Sequence, residues 1–388
     1  MYDFDKLIDR RNTGSLKWDV KENEIPLWVA DMDFCAAKPI LDAVSRRASH
    51  GVYGYSVVPA EWYEAIVSWW KRRHDFVIPT DSLYYATGVV PAISSIVRRV
   101  TSLNEKVVLL TPVYNIFFNS VLNNGRRVLE SELIFENGEY KINFSDLEQK
   151  FSDKETTLAI LCNPHNPVGK IWSREELAEI GRLSEKYSVT VISDEIHCDV
   201  VTPGKKYVPY ASVSDECAKN SVVCISATKA FNFAGLQCAA TYSLNRKLAA
   251  RINRGLNTDE VAEPNCFAVG ATVAAFNECE DWLDEMCSYT SENKRFVSEY
   301  LKKNLPGMRA VNSDATYLCW IDCSRVISSG KYKGISEFAD DIREKTGVYL
   351  SEGSQFGKGG ENFLRLNAAC PRSLIEKALD RIKEYFAE

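Results

Sequence analysis

The sequence predicts an α/β protein of three layers, a mainly parallel sheet with helices on both faces, joined to a smaller α+β domain. Three observations carry this. From about residue 82 to 245, short apolar runs alternate with longer amphipathic ones, and strand–helix–strand alternation makes strands parallel and buries both faces of their sheet. After about residue 285 the texture changes to one long helical stretch followed by short mixed elements. The chain, at 388 residues, is also longer than a single core usually organises. The expected division is an N-terminal segment, residues 1–48, packed with the small domain, a large domain, 49–285, and a small C-terminal domain, 286–388.

In order along the chain, Tyr84–Thr87, Lys106–Leu110, Leu158–Cys162, Val189–Ser193, Val222–Ser226 and Ala239–Tyr242 read as buried strands. Between them, Arg174–Tyr187 reads as a helix because Ser173 followed by Glu176 forms a capping box. Ser288–Asn304 is a long helix leading out of the sheet. A strand at Thr316–Asp322, a helix at Ser336–Thr346, a strand at Val348–Leu350, a glycine-rich loop and a strand at Phe363–Asn367 follow. The last helix opens at Ser373 with Glu376 as a second capping box. It carries Leu374, Ile375, Ala378, Leu379, Ile382 and Phe386 on one face.

Hydrophobic residues at 45% and charged residues at 26% describe an ordinary globular chain. Net charge is −6, with lysine and arginine interspersed among acids, which argues against a nucleic-acid partner. The first residues hold no apolar core of a secretory signal, and no apolar stretch is long enough for a membrane span. A cytoplasmic location is therefore expected. Several of the twelve cysteines, Cys162, Cys224 and Cys238 among them, sit inside apolar runs, as free thiols in a reducing compartment do. No Cys-x-x-Cys pair occurs, and His50, His74, His165 and His197 show no metal-ligand spacing; no metal is expected.

The residues that carry chemistry fall just after strands, where open α/β sheets bind ligands. Ser226-Ala-Thr-Lys229 follows an apolar run, and a lysine there can attack an aldehyde if its surroundings favour the neutral amine. The same lysine could simply cap a strand at the surface. Asp194 in Ser193-Asp-Glu-Ile-His197 is costly at a sheet edge without a cation, and a protonated pyridine nitrogen would serve. A helix cap, or a metal ligand paired with His197, is the alternative. In Asn163-Pro-His-Asn-Pro-Val-Gly169 two Asn-Pro steps force a turning backbone that can aim Asn166 at a ring hydroxyl or a carboxylate, or merely make a rigid turn. Ala86-Thr-Gly-Val-Val-Pro-Ala92 leads from strand to helix, so backbone N–H groups at that helix start can cup a phosphate. Tyr114 suits stacking on a flat ring or a place in the core. Arg365, inside the apolar run Phe363–Asn367, wants a carboxylate, from a substrate or from within the chain.

In this order the motifs resemble fold-type I enzymes dependent on pyridoxal 5′-phosphate (PLP), of the class I/II aminotransferase superfamily. The chain is similar in particular to the MalY/PatB branch of cystathionine β-lyases and cysteine C–S lyases. The resemblance runs from Phe4-Asp5 and Thr13-Gly-Ser-Leu-Lys-Trp-Asp19 through Leu27-Trp-Val-Ala-Asp-Met-Asp-Phe34 and Gly51-Val-Tyr-Gly-Tyr-Ser56 to Arg365-Leu-Asn-Ala-Ala-Cys-Pro-Arg372. The spacings from Asn166 to Asp194, Lys229 and Arg365 also match.

The resemblance implies that Lys229 bonds the cofactor aldehyde and later moves the α-proton. Asp194 pairs with the ring nitrogen, Asn166 meets the ring hydroxyl, and Tyr114 stacks on the ring. The phosphate lies on Gly88, Val89, Val90 and Ser226, with His197 near the cofactor. Tyr55 reaches the phosphate from a neighbouring copy, so a homodimer is implied, and Arg365 with Asn166 and Tyr55 binds the substrate. Two departures from aminotransferases stand out. Gln237 replaces the arginine usual eight residues after the lysine, and His197 replaces a tyrosine three after the aspartate. Both are lyase-like. The reaction implied is α,β-elimination on L-cystathionine, L-cysteine or another cysteine S-conjugate, giving a thiol, pyruvate and ammonia. An aminotransferase shares every cofactor residue, with Gln237 against it. A PLP-binding regulator acting by protein contact is the rival of another class.

Overall fold

The computed structural model describes residues 2–387. Its centre is a seven-stranded sheet of β1 (Leu83–Ala86), β2 (Lys106–Thr111), β3 (Arg127–Glu132), β4 (Thr156–Cys162), β5 (Thr190–Asp194), β6 (Ser221–Ile225) and β7 (Ala239–Tyr242). The spatial order is β1-β7-β6-β5-β4-β2-β3, and only β7 runs antiparallel to its neighbours. Side chains alternate across a strand, and both faces are covered. Val107 and Leu109 join a cluster with Ile93, Ile96 and Val97 of the helix α1 (Val89–Val100). Val108 and Leu110 join another with Leu177, Ile180 and Leu183 of α2 (Arg174–Tyr187). The capping box at α2 forms as expected, with Glu176 N–H donating to Ser173 Oγ and Ser173 N–H to Glu176. Strand β3 was not expected. It is an edge strand whose Arg127 and Glu132 face solvent, and edges tolerate the charges that hide a strand pattern.

The long helix α3 spans Glu280–Asn304, two turns longer at its start than the sequence suggested. Trp282, Leu283 and Met286 pack in the core beneath the sheet, whereas Val297 and Leu301 pack in a second core. The apolar stripe thus changes partner within one helix. The second core is built on a four-stranded antiparallel sheet, Arg309–Ala310, Leu318–Asp322, Phe363–Asn367 and Ser351–Glu352. Its second strand begins two residues later than expected because Thr316 is left-handed, with φ of 61°.

The N-terminal segment divides between the cores. Phe4, Met32 and Phe34 join the first, while Ile25 and Leu27 join the second. Ile25–Pro26 pairs in parallel with Val348–Tyr349. A buried ion cluster pins it, with Lys17 Nζ 2.7 Å and Arg10 Nη1 2.6 Å from the Asp33 carboxylate. All twelve cysteines are free, and all but Cys35 and Cys266 are buried. No described helix is long and apolar enough to cross a membrane. His74, Cys198 and Asp199 gather within 4.8 Å, a grouping invisible in sequence spacing. There Asp199 Oδ1 accepts from Trp69 Nε1 at 3.0 Å and lies 2.9 Å from His74 Nε2.

Candidate active site

A cavity of about 440 Å³ lies at the carboxyl ends of the parallel strands, bordered as well by residues of the four-stranded sheet region and of the N-terminal segment. Thr87–Pro91 follow β1, Tyr114–Ile116 follow β2, Asn166 follows β4, Asp194 ends β5 with His197 three residues beyond, and Lys229 follows β6. Arg365 and Ser351 enter from the small sheet, and Trp28, Val29 and Ala30 from the N-terminal segment. Nine expected site residues thus border one space: Lys229, Asp194, Tyr114, Asn166, Gly88, Val89, Val90, His197 and Arg365.

Burial lowers the Lys229 ammonium to about 8; Arg365 adds to that, while Asp31 and Asp194 oppose it. Its Nζ donates to Ala30 O at 2.5 Å. The amine is therefore far easier to deprotonate than a surface lysine. Asp194 moves the other way, up to about 7, chiefly through burial, with the neighbouring Glu195 charge adding. It accepts one local hydrogen bond, from Ile196 N–H at 3.1 Å. Among the described residues no basic side chain lies within ion-pair distance of it. Glu195 turns away from the cavity and accepts from Ser193 Oγ at 2.8 Å, Tyr210 N–H at 3.0 Å and the Tyr207 hydroxyl. That anchorage fixes the turn from which Asp194 projects. His197 is buried with Nδ1 unpartnered, and burial, then Lys229 and Arg365, push its pKa down to about 3. It is neutral at any working pH.

Arg365 is buried yet has no carboxylate partner among the described residues. Nη2 donates to Trp28 O at 2.8 Å, Nη1 to Asn166 Oδ1 at 3.3 Å, and Nε is unpartnered. The guanidinium lies over the Phe356 ring at 4.8 Å. Burial lowers it to about 10, so it stays charged at neutral pH. A buried cation of this kind needs an anion that the chain itself does not supply. No side chain caps the N-terminus of α1, whose first residues also border the cavity, and free amides with the helix dipole favour an anion there.

Two expected residues lie elsewhere. The Ser226 hydroxyl donates to Cys238 O at 2.6 Å, tying β6 to β7, and it does not border the cavity. Thr228, 2.7 Å from it, takes the cavity wall instead. Tyr55 is 101% exposed in a stretch without regular structure and touches no part of the cavity. Tyr53 likewise stays outside, its hydroxyl on Ala48 O at 2.6 Å. Gln237 does border the cavity. Residues not anticipated there include Leu16, Asn115, Ile116, Ser351, Gln355 and Phe356. Leu16 lies within a motif that carried the family resemblance, but no residue chemistry marked it as a wall.

The donor set fits PLP. A lysine with a low proton affinity would suit an aldehyde, a buried acid without a cation would suit a pyridinium, and an uncapped helix start would suit a phosphate, and all three border one cavity. Fold and site together define a PLP-dependent enzyme of amino-acid chemistry. The chain belongs to the class I and II aminotransferase family, whose model matches residues 27–382. It is 40% identical over 387 residues to cystathionine beta-lyase PatB of Bacillus subtilis (strain 168), covering 98% of both chains. The PLP-bound C–S lyase of Staphylococcus hominis superposes with a TM-score of 0.93 at 33% identity, over 100% of this chain and 99% of that one. Cystalysin of Treponema denticola, solved with PLP, gives 0.95 at 31%, with the same coverage.

Proposed function

We propose that this chain is a PLP-dependent carbon–sulfur β-lyase that performs α,β-elimination on L-cystathionine, L-cysteine or related cysteine S-conjugates. The observation that carries the reading is the buried Arg365 without an internal acid, placed on the same cavity as Lys229 and Asp194. Likeness to lyases over almost the whole chain selects elimination, and Gln237 agrees.

Bound in the cavity, PLP supplies an aldehyde that bonds amines and a cationic ring that draws electron density from the substrate Cα. Arg365 holds the substrate carboxylate, with Asn166 beside it. Lys229, released as a free amine, takes the Cα proton. Asp194, ionised against the ring nitrogen, keeps that ring cationic, and His197 stays neutral. With the Cα proton removed, the Cβ–S bond breaks, the thiol leaves, and hydrolysis of the remaining fragment gives pyruvate and ammonia. Tyr114 would cover the ring, and the amides of Gly88, Val89 and Val90 with Thr228 would hold the phosphate, all of them bordering the cavity.

Tyr55 completes the phosphate site only if a second copy supplies it, so a homodimer belongs to this reading. The exposed Val52, Tyr53, Tyr55 and Val57 support it, since so apolar a loop suits burial against another surface. The free thiols fit the reducing cytoplasm.

The test is a product assay with added PLP and L-cystathionine or L-cysteine, and no keto-acid acceptor. Steady release of pyruvate and ammonia is expected; conversion of an added keto acid with no pyruvate would make the chain an aminotransferase instead. Arg365→Ala is expected to lose about 2–4 kcal/mol of transition-state binding, roughly 30- to 700-fold in kcat/KM, most of it in KM. A KM unchanged by this substitution would take Arg365 off the substrate.

A further inference from the structure

We propose that Tyr317 is a positioning residue for Lys229, acting through the carbonyl of Ala30, which both side chains contact. The inference rests on the reading of Lys229 as the cofactor lysine. Ala30 O accepts from Lys229 Nζ at 2.5 Å and from the Tyr317 hydroxyl at 3.0 Å. Tyr317 is fully buried and does not border the cavity, so it touches neither substrate nor cofactor. Ala30 lies in a stretch without regular structure. Its neighbours are held independently: Asn367 Nδ2 donates to Val29 O and to Asp31 O, each at 2.6 Å. Among the described residues the Ala30 carbonyl itself accepts only from Lys229 Nζ and the Tyr317 hydroxyl.

The chain goes to unusual lengths to deliver this tyrosine. Thr316, immediately before it, is buried in the left-handed region, an uncommon and unfavourable conformation for a β-branched residue that persists only where neighbours over-determine it. Three neighbours do so. Thr316 N–H donates to Val200 O at 2.7 Å, just beyond His197. Asp314 and Ala315 N–H both donate to Gly169 O at 2.9 Å, the end of the Asn-Pro heptapeptide. From α3, Lys294 Nζ donates to Ser313 Oγ at 2.9 Å, Thr316 O at 3.0 Å and Ala315 O at 3.2 Å, with no carboxylate in ion-pair distance among the described residues. A buried ammonium is thus spent on fastening one turn, which ties Tyr317 to the loops carrying Asn166 and His197. Whenever the Lys229 amine is free, its four-carbon stem has several rotamers available, and proton transfer needs one of them. The Ala30 carbonyl selects it, and Tyr317 holds the carbonyl.

The test is Tyr317→Phe, which removes one oxygen from a packed ring. In the holoenzyme, kcat for pyruvate release is expected to fall about tenfold with KM within about twofold, and the isotope effect with Cα-deuterated substrate to rise. In the cofactor-free protein, acetylation of Lys229 by acetic anhydride, read by mass spectrometry, is expected to be half-maximal near pH 8 in the native chain. It should run several-fold faster at a given pH in the variant, because the amine is no longer held. Native kcat and native acetylation in the variant would overturn the proposal. So would a loss confined to KM, which would place Tyr317 on the substrate. If the native chain makes no pyruvate, the lyase reading fails, and the acetylation measurement still decides whether Tyr317 holds Lys229.

Discussion

Lys229→Ala is expected to bring pyruvate release from L-cystathionine or L-cysteine down by at least about 10⁴-fold, the product of losing both the covalent attachment and the proton carrier. No other described amine borders the cavity, since Arg365 is its only other cationic side chain. The fold itself has little to lose. The lysine is buried with its charge disfavoured, and removing it leaves Ala30 O with the Tyr317 hydroxyl. The variant should therefore melt close to the native temperature in the cofactor-free state. Coupled assay of pyruvate, with a melting curve on the same preparation, checks both halves. Turnover above a hundredth of the native rate would remove Lys229 from the reaction.

Asp194→Asn is expected to act in opposite directions on stability and on catalysis. Its carboxyl is raised from the ordinary range to about 7 by burial. The folded chain thus holds this proton more tightly than the unfolded chain. The associated stability is fully present below about pH 4 and is lost as pH rises through 7. Asparagine has no such charge to bury, so the cofactor-free variant should be the more stable by about 1–3 kcal/mol at pH 8, with the gap closing as pH falls toward 4. On the proposed reading, a bound PLP ring would reverse the balance, because its nitrogen would give Asp194 the cation it lacks. In the holoenzyme the same substitution should lower kcat by about 10²–10³-fold, the usual effect of removing one buried electrostatic contact. Melting curves at pH 5 and pH 8 without cofactor, and kcat with it, make the comparison. A variant that is less stable at pH 8 without PLP would mean that Asp194 already has a cation in the empty chain.

The central sheet was legible because its strands are buried on both faces, and runs such as Val222–Ile225 and Ala239–Tyr242 have no competing period. The edge strand β3 was not, because its exposed face carries charges. The start of α3 was hidden where its apolar stripe serves one core and then another. At the site, the side chains that gather on one cavity were readable from their place after strands. Those acting through backbone were not: nothing in Trp28 or Ala30 marks their carbonyls as acceptors for Arg365 and Lys229. The placing of Ser226 was hidden for a similar reason, since the sequence could not tell that its hydroxyl would donate to Cys238 O. Tyr317 escaped because the turn that aims it is defined by distant donors, Lys294 among them, and not by local propensity.

The pairing of Ile25–Pro26 with Val348–Tyr349 has a consequence for the order of events during synthesis. Glu24 and Arg343, which close the same junction at 2.8 Å, lie 319 positions apart, and Asn367 N–H must also reach Leu27 O. A nascent chain emerges N-terminus first, so the wall that includes Trp28 and Ala30 has no scaffold until nearly all the residues described here have left the ribosome. The parallel sheet can form well before that. Completion of that wall is accordingly expected only after Phe363–Asn367 has emerged, and a ribosome-stalled chain lacking this strand should fold its sheet while leaving Lys229 open to solvent.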